Sequence, residues 1–309
     1  MKAVRIHRFG SPEVLSLEEM PKPKSGRGEV LVQVKAAGVG PWATLTRSGK
    51  SALPQPLPLT LGSDFSGVID SIGPGVEQLK AGDEVFGVTN ECLTGAYAEY
   101  ALAKASTIAP KPQSLNHTHA ASVPVVAVTA WQMVYELGHV SRGQFVLVHG
   151  GAGNVGAFAV QLAKRAGAVV IATASAENEG YVHRLGADGV MDYRATRFYE
   201  SLKQLDVVLD TVGGETLERS YEIVKRGGII ISSAARPSKD TAEQCGVRAM
   251  FFLAEVTRER LTKIAQLIDA GELKTEVGEV LWLAEARQGH EMLEGAPHRR
   301  GKIVIKVAD

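Results

Sequence analysis

Gly151, Gly153 and Gly156 carry the clearest chemistry in the chain. They form a GxGxxG, Gly151-Ala152-Gly153-Asn154-Val155-Gly156, directly after the apolar run Phe145 to His149 and directly before an amphipathic stretch that continues through Lys164. Glycine at these positions permits a tight turn and lets the backbone close on a pyrophosphate. The N-terminus of the helix that follows offers free N–H groups and a positive dipole end. Asn154 and Val155 belong to the same cradle, and the chemistry implied is dinucleotide binding.

The choice of dinucleotide should be readable at the end of the next strand, where an acidic side chain about 20 residues on would bind the ribose 2′-hydroxyl of NAD. None stands there: the run ends Ala172-Thr173-Ala174-Ser175, and Glu177 follows only after the turn. Beyond Ala174, Ser175 could donate a hydrogen bond to a 2′-phosphate, with Tyr193 and Arg194 at the end of the neighbouring strand adding to the site. The residues therefore favour NADPH. The competing role for Ser175 is to cap a helix starting at Ala176, and Glu177 and Glu179 place negative charge nearby. Val212 with Gly213, and Ser232 with Ser233, follow two further predicted strands, at the carboxyl ends where an open α/β sheet binds ligands.

The elements that must position these residues alternate from about Phe145 onward: apolar strand, polar helix, apolar strand. The strands are Phe145 to His149, Val169 to Ala174, Gly189 to Tyr193, Asp206 to Val212 and Gly228 to Ser233, and their near-continuous apolar character predicts a parallel sheet covered on both faces. The fold class is α/β, a doubly wound sheet of the Rossmann type. Leu217, Tyr221 and Val224 at helical spacing predict a helix that stops at Gly227-Gly228.

Before residue 112 the pattern is short β runs between Gly and Pro turns: Lys2 to Ile6, Glu29 to Val34, Gly67 to Ile72 and Glu84 to Val88, with Leu53 to Pro58 an extended loop. After residue 255 come an amphipathic helix with Leu261, Ile264 and Ile268, another around Ala284 to Leu293, and a strand, Lys302 to Val307. That last strand has no neighbour of its own and should return to the N-terminal β unit. The expected domains are therefore 1–115 with 256–309, and 116–255.

Composition bounds the partners. The 309 residues hold 34 Lys and Arg against 34 Asp and Glu, so no basic field exists to gather nucleic acid or an anionic membrane. The first residues lead into no long apolar run, which predicts a cytoplasmic protein without a membrane segment. Cys92 and Cys245 form neither a disulfide framework nor a CxxC and are expected as reduced thiols. His117 and His119, the one close histidine pair, fall in what reads as a solvated loop; no metal site is expected.

Several segments together resemble the zinc-independent quinone oxidoreductase branch of the medium-chain dehydrogenase/reductase superfamily. They are Val146 to Gly156, Leu185-Gly186-Ala187-Asp188, Asp192-Tyr193-Arg194, Gly82 to Gly87, Gly95 to Tyr100, Thr129-Ala130-Trp131 and Gly301-Lys302-Ile303-Val304. The resemblance implies a GroES-like β-barrel domain beside a six-stranded Rossmann domain, and commonly a homodimer. It implies that Thr129 faces the nicotinamide, where its alternative is a helix-interior threonine bonded to its own backbone, and that Phe252 and Leu253, with Phe251, lie in a segment touching the nicotinamide amide.

Zinc members of the superfamily carry a cysteine and a Gly-His-Glu, where this chain has Gly40 and Gly62-Ser63-Asp64. Relatives also often carry Asn-Pro-x-Asp or Asn-Phe-x-Asp where this chain reads Gly40-Pro41-Trp42-Ala43, losing both polar side chains; Trp42 either walls an apolar substrate pocket or packs the barrel. The implied activity is NADPH-dependent, zinc-independent hydride transfer to a small quinone or α,β-unsaturated carbonyl. Its alternatives are a carbonyl or alcohol oxidoreductase using the same cofactor, or a non-catalytic NADPH-binding sensor. Tyr97 and Tyr100 bear phenols that could donate a proton, but no catalytic acid is assigned.

Overall fold

The computed structural model describes residues 1–53 and 55–308. The chain separates into two compact units, Met1–Val125 with Val256–Asp309, and Val126–Glu255.

In the first unit a seven-stranded sheet runs in the order Val277–Trp282, Lys302–Lys306, Glu29–Val39, Asp64–Ile72, Glu84–Val88, Ile108–Pro110, with Tyr100–Lys104 also paired to Glu29–Val39. A small sheet of Ser16–Glu19, Lys2–Ile6 and Leu59–Thr60 accompanies it. Alternating β-branched residues explain the long central strand: Val30, Val32 and Val34 are fully buried with Phe65, Ile69 and Ile303 in one apolar core. Strands Glu29–Val39 and Asp64–Ile72 run further than the sequence predicts: after a register shift between Val34 and Ala36 the pairing resumes at Ala36 with Ser66 and Ala37 with Phe65. Of the expected Leu53 to Pro58 loop, Pro54 lies outside the described residues.

The closing strand Lys302–Lys306 does return, pairing antiparallel with Val39 to Ala36 and parallel with Val277–Trp282. Arg258 ties the two segments of this unit together through Ile108 O at 3.1 Å, Ala105 O at 2.6 Å and Gln78 Oε1 at 2.5 Å. The division toward the second unit falls at Val125 rather than residue 115. Helix His117–Ala120 packs on the strands of the first unit, and Ser122 Oγ lies 2.7 Å from Thr275 Oγ1.

The second unit is a six-stranded parallel sheet ordered Gly189–Asp192, Val169–Ala174, Phe145–His149, Leu205–Asp210, Val224–Ser232, Arg248–Phe251. This 3-2-1-4-5-6 order is the doubly wound Rossmann arrangement, with its switch point between Phe145–His149 and Leu205–Asp210. One predicted element is corrected: the helix carrying Leu217 ends at Ser220, and Val224 already begins a strand that runs through Gly227 and Gly228. Val224 pairs with Leu205 before the register shifts, so its β-branched side chain serves the sheet rather than a helix face.

Candidate functional site

The cradle forms as its sequence requires. Strand Phe145–His149 ends, Gly150 takes a positive φ of 71°, and helix Asn154–Arg165 starts with Gly153 as its N-cap. Gly150 N–H donates to Thr173 Oγ1 at 3.1 Å and Gly151 N–H to Thr173 O at 2.9 Å, fastening the loop to the next strand. A Cβ on Gly151 would lie 2.7 Å from the Ala172 methyl, and one on Gly156 would collide with the Gly150 carbonyl. These two glycines hold loop and helix close together, and the N–H groups at the helix start have no side-chain cap. The loop fits a dinucleotide pyrophosphate.

A cavity of about 680 Å³ opens beside it, wholly within the second unit. Of the expected cofactor residues, Gly153, Ala174, Ser175, Tyr193 and Val212 line it. The lining does not include Arg194, whose guanidinium pairs with Glu177 at 3.8 Å. Ser175 starts the short turn Ala176–Asn178 without capping it by its side chain; its hydroxyl instead donates to Glu177 Oε1 at 3.0 Å and accepts from Asn178 Nδ2 at 2.9 Å.

The other expected residues lie elsewhere in this unit. Gly151, Asn154, Val155 and Gly156 form the loop and first helical turn behind the cavity wall. Thr129 is buried within helix Pro124–Trp131. Ser232 is fully buried and committed to its own loop, donating to Asp210 Oδ2 at 2.6 Å and accepting from the N–H groups of Ala234 and Ala235. Ser233 N–H donates to Asp210 O at 3.0 Å, and Phe252 N–H reaches Ser232 O at 3.4 Å, while Leu253 is 61% exposed.

Sequence patterns gave no sign of Asp210 or His149. Asp210, fully buried at the end of its strand, accepts from Val212 N at 3.0 Å and Gly213 N at 2.9 Å and so shapes the loop bearing Val212. His149 lies 3.3 Å from Thr173 Oγ1 and 3.1 Å from Ser220 Oγ, with its ring edge-on to Phe198. Burial pushes its pKa down to about 4 against the opposing pull of Asp210, so the ring is neutral at pH 7. Asn178, Thr196, Arg197, Thr216 and Arg219 also line the cavity and were not singled out by the sequence.

In the first unit Gly40, Ser63 and Asp64 gather around Trp42. The indole N–H donates to Ser63 Oγ at 2.9 Å, and its ring lies so close to Gly40 that any Cβ there would strike it. The Lys302 ammonium sits 4.4 Å from the Trp42 ring centroid and 3.4 Å from Asp64 Oδ2, both charged residues being essentially unexposed. Asp64 Oδ1 accepts from Val125 N–H at 3.1 Å. Burial pushes the Asp64 carboxyl up to about 6 against the attraction of Lys302, and burial lowers the Lys302 ammonium against the attraction of Asp64. With Gly40 lacking a donor, Ser63 engaged by Trp42 and Asp64 engaged by Lys302, these residues do not fit a zinc ion. Among the described residues no group of three or more His, Cys, Asp and Glu is gathered for a metal.

Tyr97 is fully buried with its ring against Gly62, and burial raises its pKa; Tyr100 lies under the Lys22 ammonium at 3.9 Å. The His117 and His119 loop is corrected to a short helix. His117 is no solvated side chain, with Nδ1 2.8 Å from Ser66 Oγ and Nε2 3.1 Å from Glu84 Oε1.

A barrel-type β unit together with a doubly wound sheet bearing a dinucleotide cradle defines a two-domain oxidoreductase of the medium-chain dehydrogenase/reductase type. Residues 26–113 match the alcohol dehydrogenase GroES-like domain, and residues 185–305 match the zinc-binding dehydrogenase domain. Mouse quinone oxidoreductase is 32% identical over 99% of this chain and 97% of its own length. The quinone oxidoreductase of Coxiella burnetii superposes with a TM-score of 0.92 at 35% identity, covering 100% of this chain and 99% of that one. The Escherichia coli quinone oxidoreductase complexed with NADPH gives 0.90 at 28% identity, covering 99% and 100%. The chain belongs to the quinone oxidoreductase family.

Proposed function

We propose that this chain is an NADPH-dependent reductase that delivers hydride to quinones or to the conjugated carbon of α,β-unsaturated carbonyls without a zinc ion. The supporting observation is the coexistence of a fitted dinucleotide cradle with a barrel corner whose polar groups at Ser63 and Asp64 are already engaged within the chain. The NADPH reading draws on two further features: no acid ends the Val169–Ala174 strand, and the E. coli relative is described with NADPH.

NADPH, when bound, supplies the hydride. The N–H groups at the start of helix Asn154–Arg165 hold the pyrophosphate, Gly151 and Gly156 keep that loop tight, and Ser175 with Tyr193 receives the 2′-phosphate. Thr129, Ser233, Phe252 and Leu253 serve the nicotinamide end, Ser232 shapes the loop there through Asp210, Ala234 and Ala235, and Trp42, pinned by Ser63 and Lys302, walls the substrate. Acceptors of this class suit a site without a metal because the charge developing after hydride addition spreads through a conjugated system onto oxygen. The same proposal includes a cytoplasmic location and a homodimer. The Arg248–Phe251 strand at the edge of its sheet, paired on one side only, offers backbone for a second copy.

The test is product identification. NADPH-dependent turnover of quinones and enones should give hydroquinones and saturated ketones, identified by chromatography against authentic standards. Formation of the allylic alcohol with the double bond intact would overturn the proposal in favour of a carbonyl reductase. NADPH binding with no turnover on any acceptor would overturn it in favour of a sensor.

A further inference from the structure

We infer that Arg197 selects the 2′-phosphate of the cofactor, and that Arg194, the nearer arginine in sequence, serves instead to neutralise Glu177. The inference rests on the NADPH reading above and deepens it to the level of side chains.

Ala174 and Asp192 are register partners, and Tyr193 N–H donates to Ala174 O at 3.2 Å, so Ser175 and Tyr193 leave the sheet side by side. After Tyr193 the chain folds back on itself: Arg194 N–H donates to Asp192 Oδ1 at 3.0 Å and Thr196 N–H to Asp192 O at 2.8 Å. That turn carries Arg194 away from the cavity lining and returns Thr196 and Arg197 to it, alongside Ser175, Asn178 and Tyr193.

The charges divide accordingly. Glu177 accepts the Ser175 hydroxyl at 3.0 Å, which sets a carboxylate beside the place where a 2′-phosphate would bind. Left alone it would repel the phosphate, but the Arg194 guanidinium lies 3.8 Å from it. Arg197, the N-cap of the short helix Phe198–Ser201, pairs with Glu200 Oε1 at 3.1 Å, and both side chains are exposed, so solvent weakens the attraction. A phosphate dianion is the stronger partner for a guanidinium fork and would draw Arg197 away from Glu200.

Fluorescence titration of the full chain with NADPH and with NADH tests the division. Arg197→Ala should weaken NADPH about tenfold, equivalent to about 1.4 kcal/mol, and NADH by less than about twofold. The same loss should persist in a Glu177→Gln background. Arg194→Ala should also weaken NADPH, but that loss should vanish once Glu177→Gln is present. Adenosine 2′,5′-bisphosphate, used as a probe against adenosine 5′-monophosphate, should repeat the pattern. A wild-type preference for NADPH that survives Arg197→Ala overturns the inference alone. Wild-type binding of NADPH no tighter than NADH overturns the cofactor reading and the inference with it.

Discussion

Gly156 sits where helix Asn154–Arg165 passes under the Gly150 carbonyl, and a methyl group there has no room because the obstacle is backbone. Gly156→Ala should cost about 1–3 kcal/mol by overpacking and weaken NADPH by displacing the loop. Urea denaturation and cofactor titration check both, and unchanged stability would contradict the packing role. Gly153→Ala should be milder, since its Cβ would stand 3.2 Å from the same carbonyl and Gly153 keeps an ordinary negative φ. This part of the site was legible because glycine spacing encodes backbone approach directly. Arg194 and Arg197 show the opposite case. Two arginines three residues apart on one turn look alike in sequence, and only the hydrogen bonds to Asp192 decide which of them faces the cavity.

Strands Asp64–Ile72 and Lys302–Lys306 flank Glu29–Val39 in one sheet, and that shared neighbour brings Asp64 and Lys302 together. The closing strand and the Gly67 to Ile72 part of the other could be read from their apolar patterns, yet Asp64 lies before that predicted part and nothing local relates residues 64 and 302. Asp64→Asn should destabilise the chain by about 3–5 kcal/mol because it strands a buried ammonium, whereas Asp64→Leu with Lys302→Met should recover most of that loss. Thermal unfolding of the single and double variants distinguishes them; a double variant no better than Asp64→Asn would contradict the account.

Strand Phe145–His149 carries a pH dependence of its own. The His149 pKa near 4, depressed from an ordinary value of 6.5, means that stability from its neutral ring is full above about pH 6.5 and lost as pH falls through about 4. His290, fully buried with no hydrogen-bond partner for its ring among the described residues and pushed down to about 3 by burial and then by Arg47, acts in the same direction. His149→Gln should therefore flatten, without abolishing, the fall in urea-denaturation stability between pH 7 and pH 4. An unchanged slope would contradict the buried neutral ring. The strand itself was predicted; the histidine's partners, Thr173 and Ser220, come from separate elements that only the folded sheet assembles.

At the scale of the whole molecule, the discontinuous first unit and the Rossmann unit were both legible, the former from a closing strand with nowhere else to pair and the latter from repeated strand–helix alternation. The prediction of a helix through Val224 failed because a β-branched residue at helical spacing was claimed by the sheet. The zinc-free reading proposed above rests on Gly40 offering no ligand atom, on Ser63 being engaged by Trp42 and on Asp64 being engaged by Lys302. The central claim, hydride transfer from NADPH to a quinone without zinc, is tested most directly by steady-state NADPH oxidation with a quinone, comparing chelator-treated protein with the same protein given added zinc. Turnover that persists after chelation and gains nothing from zinc is the expected result. Turnover that disappears on chelation and returns with zinc would contradict it.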